Sequence, residues 1–471
     1  MRRAKTIVIS AFAANPAMSS ETGIGWSFIK VTAQLAMERG LDVVVVMNLR
    51  SKGPVDAQLQ AEGLDGVVET IGIDMPPGLR VLKKPQLTRF EYVVWWMLAG
   101  RVMRSLEASR PVFLAHHVTF ATEVFPTPIT AFSRRVFKVW GPIGSAGDSA
   151  VYKVKPLAMG VRREALTQAL RDRIALLPAK EFGRRVDLVV AQNQAVGKIF
   201  ERLGVRARVF PNVILKPELE RAIDAARRLR SDAEDQPSQA LRILSVGHLV
   251  PRKRFDLGLQ ALTHPLLENA HYELLGKPLE GVADSLPALA AELGVSDRVV
   301  FRGKLPRDQV LAAMATSDVF FHPSGREGAS GVIGEATAIG IPVVCFANTG
   351  ASSVLEEAGT SGVMIPATAD LSVSTIAEAL LEAARLPRAH TTLWTEARFK
   401  NFMQELIAEG MERSITREDA TQPQPQPQTQ TQTQPQPQPQ PQPQTQPQPQ
   451  PQSQSQPQSQ PESESERSEH P

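Results

Sequence analysis

The chain of 471 residues has a single cysteine, Cys345, so no disulfide forms within it. That excludes a small, disulfide-stapled secreted scaffold. Cys345 lies inside the apolar run Val343–Phe346 and reads as a core residue of a reducing compartment. A strand interior does nothing to stabilise a thiolate, which argues against Cys345 as a nucleophile. No apolar run has the length needed to span a bilayer. The longest candidate, Tyr92–Ala99, is read as one buried face of a helix. Gly-x-Gly-x-x-Gly is absent after the first apolar run, which argues against a nicotinamide cofactor. The opening Met1-Arg2-Arg3-Ala4-Lys5 and the run Thr6–Ala14 mimic a signal peptide. The apolar part is short and β-branched, however, and a glycine-bearing turn follows, so it reads as a first strand.

What the chain does have is ample core-forming material, at 42% hydrophobic residues, and an uneven charge. Met1–Asn212 carries 30 Lys and Arg against 17 Asp and Glu, and the remainder is acidic. A basic first half suits anionic lipid or a phosphorylated acceptor, with Lys83-Lys84 and Arg134-Arg135 as the candidate contacts. Nucleic acid is not expected as a partner. Apolar runs alternate with helical patterns throughout: Thr6–Phe12, Ser27–Arg39, Leu41–Met47, Pro111–His117, Val136–Trp140 and Val186–Gln192, then from Leu241–Gly247 onward. This is the pattern of doubly wound parallel α/β sheets. The expected division is a first Rossmann-like domain at 1–212, a linker at 213–240, and a second Rossmann-like domain at 241–390. A crossing helix at 391–416 and a tail at 417–471 complete it. Gln422–Gln460 is Pro-Gln and Thr-Gln low complexity with almost no apolar residue, and it is expected to be disordered.

The most informative stretch is Pro323–Glu335, which follows the apolar Val319-Phe320-Phe321 and leads into a short helix. Gly328, Gly331 and Gly334 let backbone approach a ligand closely. The helix start turns unpaired N–H groups toward phosphate. The carboxylates Glu327 and Glu335 are acceptors only and suit hydroxyls. A turn with N–H donors for phosphate and carboxylates for hydroxyls describes a site for a sugar nucleotide.

Glu327 and Glu335, on a strand–glycine loop–helix followed by Gly340-Ile341-Pro342-Val343-Val344, resemble the E-x7-E motif of the retaining glycosyltransferases of family 4. That resemblance implies the GT-B fold, with two Rossmann-like domains facing a cleft. Further phrases are similar. Ser20–Trp26 looks like a glycine-bearing loop between donor phosphates and acceptor, with Gly23 and Gly25 matching it. Gly141-Pro142-Ile143-Gly144 resembles a Trp-Gly-Pro-(Val/Ile)-Gly-Gly stretch. His117, preferred over His116, resembles a strand-end histidine beside the donor sugar. In the second half, Gly247–Arg254 stands for Gly-Arg-Leu-x-x-x-Lys-Gly, whose Arg and Lys hold the donor diphosphate. Lys253 matches the Lys, but His248 replaces the Arg, so a permanent cation becomes a titratable one. Arg254 replaces the glycine, and Arg252 or Arg254 is a candidate substitute for the missing cation.

The resemblance implies transfer of a hexose from a nucleotide diphosphate sugar to a hydroxyl of a carbohydrate or lipid-linked acceptor. Retention of configuration and no obligatory metal are implied as well, and no Asp-x-Asp occurs in the chain. The implied catalytic residues are His117, Lys253 and Glu327. Donor contacts would come from Gly23, Gly25, His248, Arg252, Lys253 and Glu327, with Gly328, Ala329, Ser330, Gly331 and Glu335. Two alternatives are a GT-B subunit that binds without transferring, which the His248 replacement suggests, and a sugar-nucleotide epimerase.

Overall fold

The computed structural model describes residues 4–18, 21–82, 84–144, 151, 159–233, 240–278, 285–368 and 371–419. Among them two parallel sheets dominate. The first holds β1 (Thr6–Ala11), β2 (Asp42–Asn48), β3 (Val68–Ile73), β4 (Val112–Thr119), β5 (Phe137–Ile143), β6 (Leu188–Ala191) and β7 (Ala207–Val209), in the order β3-β2-β1-β4-β5-β6-β7. The second holds β8 (Arg242–Val246), β9 (His271–Leu275), β10 (Val299–Gly303), β11 (Val319–His322), β12 (Val343–Phe346) and β13 (Gly362–Ile365), in the order β10-β9-β8-β11-β12-β13. Short β-branched runs such as Thr6–Ala11 are buried at every position, as strands covered on both faces must be. In each sheet the order reverses beside the first strand, at β1/β4 and at β8/β11. Ligands of open α/β sheets bind at such switch points, outside the carboxyl ends of the strands.

Helices cover both faces. Around the first sheet lie α1 (Glu21–Arg39), α2 (Leu49–Ala61), α3 (Thr88–Ser109), α4 (Met159–Gly183) and α5 (Gln194–Arg202). With the second sheet go α6 (Pro217–Ala233), α7 (Asp256–Ala261), α8 (Ser285–Glu292), α9 (Arg307–Thr316), α10 (Gly331–Ile339), α11 (Gly350–Ala358) and α12 (Val373–Arg385). The last helix, α13 (Glu396–Asp419), returns to the first sheet and places Phe399, Phe402, Met403, Leu406 and Ile407 in the core beside Phe28 of α1. Phe402 stacks on Phe210 at 4.0 Å between centroids, and the Arg398 guanidinium lies 4.1 Å above the Phe210 ring. Large buried rings carry much of the apolar area, at about 25 cal/mol per Å² removed from water.

Several elements differ from the sequence reading. The first helix starts at Glu21, so Gly23 and Gly25 lie within its first five residues instead of in a free loop. A Cβ at Gly25 would sit 2.6 Å from Thr119 Cγ2, and one at Gly23 would sit 2.0 Å from the Met18 carbonyl oxygen. Close packing of α1 against the β1 loop and the end of β4 demands both glycines. Gly141-Pro142-Ile143 is the last part of β5, and Ser145–Asp148 lies outside the described residues. Most of the expected linker is α6, whose Ile223 and Ala226 join the second sheet's core. The last helix continues through residues 417–419, where the tail was expected to begin. The remainder of the tail and Lys83 lie outside the described residues. Strand β3 and helices α2 and α12 were not expected, although α12 buries Ile376, Ala377, Leu380 and Ala383 at helical spacing. Tyr92, Val94 and Trp95 form the buried face of α3, and Cys345 is buried in β12, where burial pushes its thiol pKa up.

Candidate functional site

The loops that leave β8 and β11 meet at the second sheet's switch point. After β8 the chain turns at Gly247 and makes a short 3-10 turn, Pro251–Lys253. After β11 it runs through Pro323–Ser330 into α10. The Gly325 amide donates to the Arg252 carbonyl at 3.0 Å and pins the two loops together. Four side chains then converge on one carboxylate oxygen, Glu327 Oε1. Lys253 Nζ makes the closest contact, Ser324 Oγ donates at 2.7 Å, Arg252 Nη1 donates at 3.2 Å, and His322 Nε2 stands 3.7 Å away. Lys253 and Glu327 are nearly enclosed, with side chains 9% and 13% exposed. Burial alone would raise the Glu327 pKa, but the Lys253 ammonium, with His322 and Arg252 adding to it, holds the carboxyl well below its usual range. His322 is fully buried, and burial together with the Lys253 charge pushes its pKa down, so it is neutral at pH 7. Its Nδ1 has no protein partner.

Ser330 occupies the N-cap of α10 without a side-chain capping bond, so the amides of the Gly331 turn keep donor capacity at the positive end of the helix. Gly328 and Ala329 lead into it. Glu335 lies one turn on and is buried, at 3% exposure. Arg307, at the start of α9, holds its Oε1, while Oε2 has no partner in the protein. A buried carboxylate oxygen without a donor is costly unless a ligand supplies one.

The first sheet closes on the same turn. Asn193 Nδ2 donates to the carbonyls of Gly328 at 3.0 Å and Glu327 at 3.2 Å, and the Gln194 amide donates to Ser353 Oγ at 3.1 Å. A Cβ at Gly144 would lie 2.8 Å from the Gly328 Cα, so Gly144 abuts the acidic turn. Asn193, Ser324, Arg307 and His322 were missed in the sequence. The first three are ordinary polar residues in loops or at helix starts, with no spacing to flag them. His322 sat unremarked at the end of the apolar run.

Three expectations need correction. His117 does not face a cleft: it is fully buried, with Nδ1 2.9 Å from Ser10 Oγ and Nε2 3.1 Å from the Tyr92 hydroxyl. Both ring nitrogens are committed to protein partners, so it holds β1, β4 and α3 together instead of meeting a sugar. Arg254 does not replace the missing cation. It is fully buried, its Nε and Nη2 donate to Asp256 at 3.1 Å, and Nη1 donates to the Val151 carbonyl at 2.6 Å. Its φ of 54° is the left-handed conformation that glycine adopts easily. Gly23 and Gly25 pack α1 as described above. By contrast Arg252 stands beside Lys253 over Glu327, and His248 is exposed in the loop after Gly247. Among the described residues no cluster of His, Cys, Asp and Glu is grouped to hold a metal ion.

Comparison with known proteins finds its likeness in the part of the chain that carries this turn. The family model for glycosyl transferases group 1 matches residues 227–392. Over 171 residues the chain is 32% identical to the lipopolysaccharide core biosynthesis glycosyltransferase LpsE of Rhizobium meliloti, covering 36% of this chain and 46% of that one. Over 112 residues it is 38% identical to the D-inositol 3-phosphate glycosyltransferase of Mycolicibacterium gilvum, covering 23% of this chain and 25% of that one. The chain thus spans less than half the length of these curated relatives. In fold it is similar to sucrose-phosphate synthase from Thermosynechococcus elongatus, with a TM-score of 0.52 at 17% identity over 88% of this chain and 98% of that one. The two doubly wound sheets, with a last helix returning to the first, are the GT-B fold. No helix among the described residues is long and apolar enough to cross a membrane.

Proposed function

We propose that this protein transfers a hexose from a nucleotide diphosphate sugar to a hydroxyl of a carbohydrate or lipid-linked acceptor, with retention of configuration, in the synthesis of a cell-surface glycan. The observation that carries the reading is the pairing of Lys253 and Arg252 with Glu327 beside the uncapped start of α10, one turn from the half-paired Glu335. In such a transfer, negative charge gathers on the leaving diphosphate. The Lys253 ammonium, the Arg252 guanidinium and the amides around Gly328–Gly331 would stabilise it, with His248 as a further donor from the facing loop. Preorganised donors of this kind are worth about 3–4 kcal/mol each. Glu335 Oε2 would accept from the ribose hydroxyls of the donor, and Glu327 would meet sugar hydroxyls and developing positive charge at the anomeric carbon. No metal is needed for these roles. The names of the curated relatives, which act in lipopolysaccharide core and D-inositol 3-phosphate glycosylation, support a glycosyl transfer of this class.

The test is a thermal-shift screen of nucleotide diphosphate sugars, followed by measurement of nucleoside diphosphate release with and without acceptor extracts. Stabilisation by one donor, lost in Glu335→Ala, supports the reading. Binding without release or transfer favours a non-catalytic GT-B subunit, and interconversion of the free donor favours an epimerase.

A further inference from the structure

The side chain of Asn193 joins the two sheets at the acidic turn. The residue stands between β6 and the start of α5, and it is fully buried. Its Oδ1 accepts from the Val196 amide at 3.0 Å and caps α5. Its Nδ2 donates to two successive carbonyls of the turn after β11, Gly328 at 3.0 Å and Glu327 at 3.2 Å. These partners fix which way the amide group faces: only its oxygen can accept from Val196, and only its NH2 can donate to two carbonyls. In a planar trans peptide the N–H points opposite to the C=O. The Glu327 carbonyl shares its peptide with the Gly328 N–H, and the Gly328 carbonyl shares its peptide with the Ala329 N–H. Drawing both carbonyls toward Asn193 therefore turns both N–H groups away from it, and neither donates to an acceptor among the described residues. The first sheet presses on the same glycine, since a Cβ at Gly328 would lie 2.0 Å from Gln192 Oε1.

We infer that Asn193 is a positioning residue for the donor: from the first sheet it holds the turn of the second so that the Gly328 and Ala329 amides meet the diphosphate. The inference rests on the transferase reading of the Glu327 turn and extends it to a residue of the other sheet. Lys253 and Arg252 bring positive charge, but two flexible cations do not fix where the phosphate oxygens sit. Preorganised amides do, and a misplacement of about 1 Å can cost about 10²-fold in rate. A glycine has no side chain to restrain its own peptide planes, so the restraint comes from a neighbour. Asn193 supplies it, with its own side chain locked by the α5 cap. Capping alone does not need the NH2 group, because Asp and Ser cap a helix about as well as Asn.

The experiment uses Asn193→Asp and Asn193→Ser in the full chain. Both keep an oxygen for the Val196 amide and remove the donor to the two carbonyls, and the Asp variant also sets a carboxylate against them. Calorimetry measures the dissociation constants for UDP, GDP and ADP and for uridine, guanosine and adenosine. For the base that the unmodified chain prefers, both variants are expected to bind the nucleoside diphosphate about tenfold or more weakly and the nucleoside unchanged. The ratio of the two constants does not move with the fraction of folded protein, so a loss of stability alone leaves it where it was. Release of nucleoside diphosphate from the preferred donor is expected to fall about 10²-fold in kcat. If the Asp variant does not fold, the Ser variant carries the test. The inference is overturned if a folded variant binds the diphosphate as the unmodified chain does. It is overturned too if the nucleoside affinity falls by the same factor, which marks a general distortion of the site. If the unmodified chain binds none of the three diphosphates, the transferase reading fails and this inference with it, so the two failures are told apart.

Discussion

Replacing Lys253 by methionine keeps most of the stem and removes the ammonium from an enclosed carboxylate. In the folded protein Glu327 then keeps Ser324 Oγ at 2.7 Å and Arg252 Nη1 at 3.2 Å, and Arg252 is 35% exposed, so part of its charge is screened by water. Breaking a buried pair by removing one partner costs about 3–5 kcal/mol, and the surviving Arg252 contact places the expected loss near the lower end, about 3 kcal/mol. The reverse substitution, Glu327→Gln, strands Lys253 instead and should cost a similar amount. The informative variant is the double one. With both charges gone no ion is left buried without a partner, so Lys253→Met with Glu327→Gln should be more stable than either single variant. Urea unfolding at pH 7 measures all three, and the difference gives the coupling energy. The reasoning is refuted if the single losses add in the double variant, or if Lys253→Met costs less than about 1 kcal/mol, the value of an exposed pair.

Acid should destabilise the fold well above the carboxylate range. Burial lowers the His116 and His117 pKa values from 6.5 to about 4 and about 3, and lowers that of His322 as well. The unfolded chain binds these protons first, so stability is full above about pH 6.5 and falls as pH drops from there toward 4, by about 1.4 kcal/mol per pH unit for each histidine. His117→Gln should lower that slope by one histidine's share in a pH series of urea melts; an unchanged slope contradicts the neutral, enclosed placement of His117. Gly25→Ala should cost about 1–3 kcal/mol by overpacking, and Thr119→Ser, which removes the methyl group 2.6 Å from the new Cβ, should recover much of it. Phe402→Ala, which deletes the stack on Phe210, should cost about 3–5 kcal/mol in the same melts, and a loss under about 1 kcal/mol would mean that α13 is not anchored there.

Much of the architecture was legible because strands covered on both faces leave short β-branched runs, and Thr6–Ala11, Val43–Val46 and Val343–Phe346 are such runs. The acidic turn was legible because glycine, carboxylate and helix start fall together there in twelve or so residues. What the sequence concealed depends on packing at a distance. Nothing near His117 reveals that Ser10 and Tyr92, 107 and 25 positions away, take both of its nitrogens. Nothing near Arg254 except Asp256 signals that it turns inward, and its left-handed backbone is visible only in three dimensions. Arg307 meets Glu335 across 28 residues, from one helix start to the middle of another. Helix α4 illustrates the converse: Leu166, Leu170, Ile174 and Leu177 follow a helical period, but only the structure says that they point outward.

The account rests on the turn at Glu327 and the cation at Lys253 acting on one bound donor. The most direct test is nucleoside diphosphate release from the donor selected in the thermal screen, by the unmodified chain, by Lys253→Met and by Glu335→Gln. The prediction is release by the unmodified chain, a fall of about 10²–10³ in turnover for Lys253→Met, and weakened donor binding for Glu335→Gln. Equal turnover in all three proteins would contradict it.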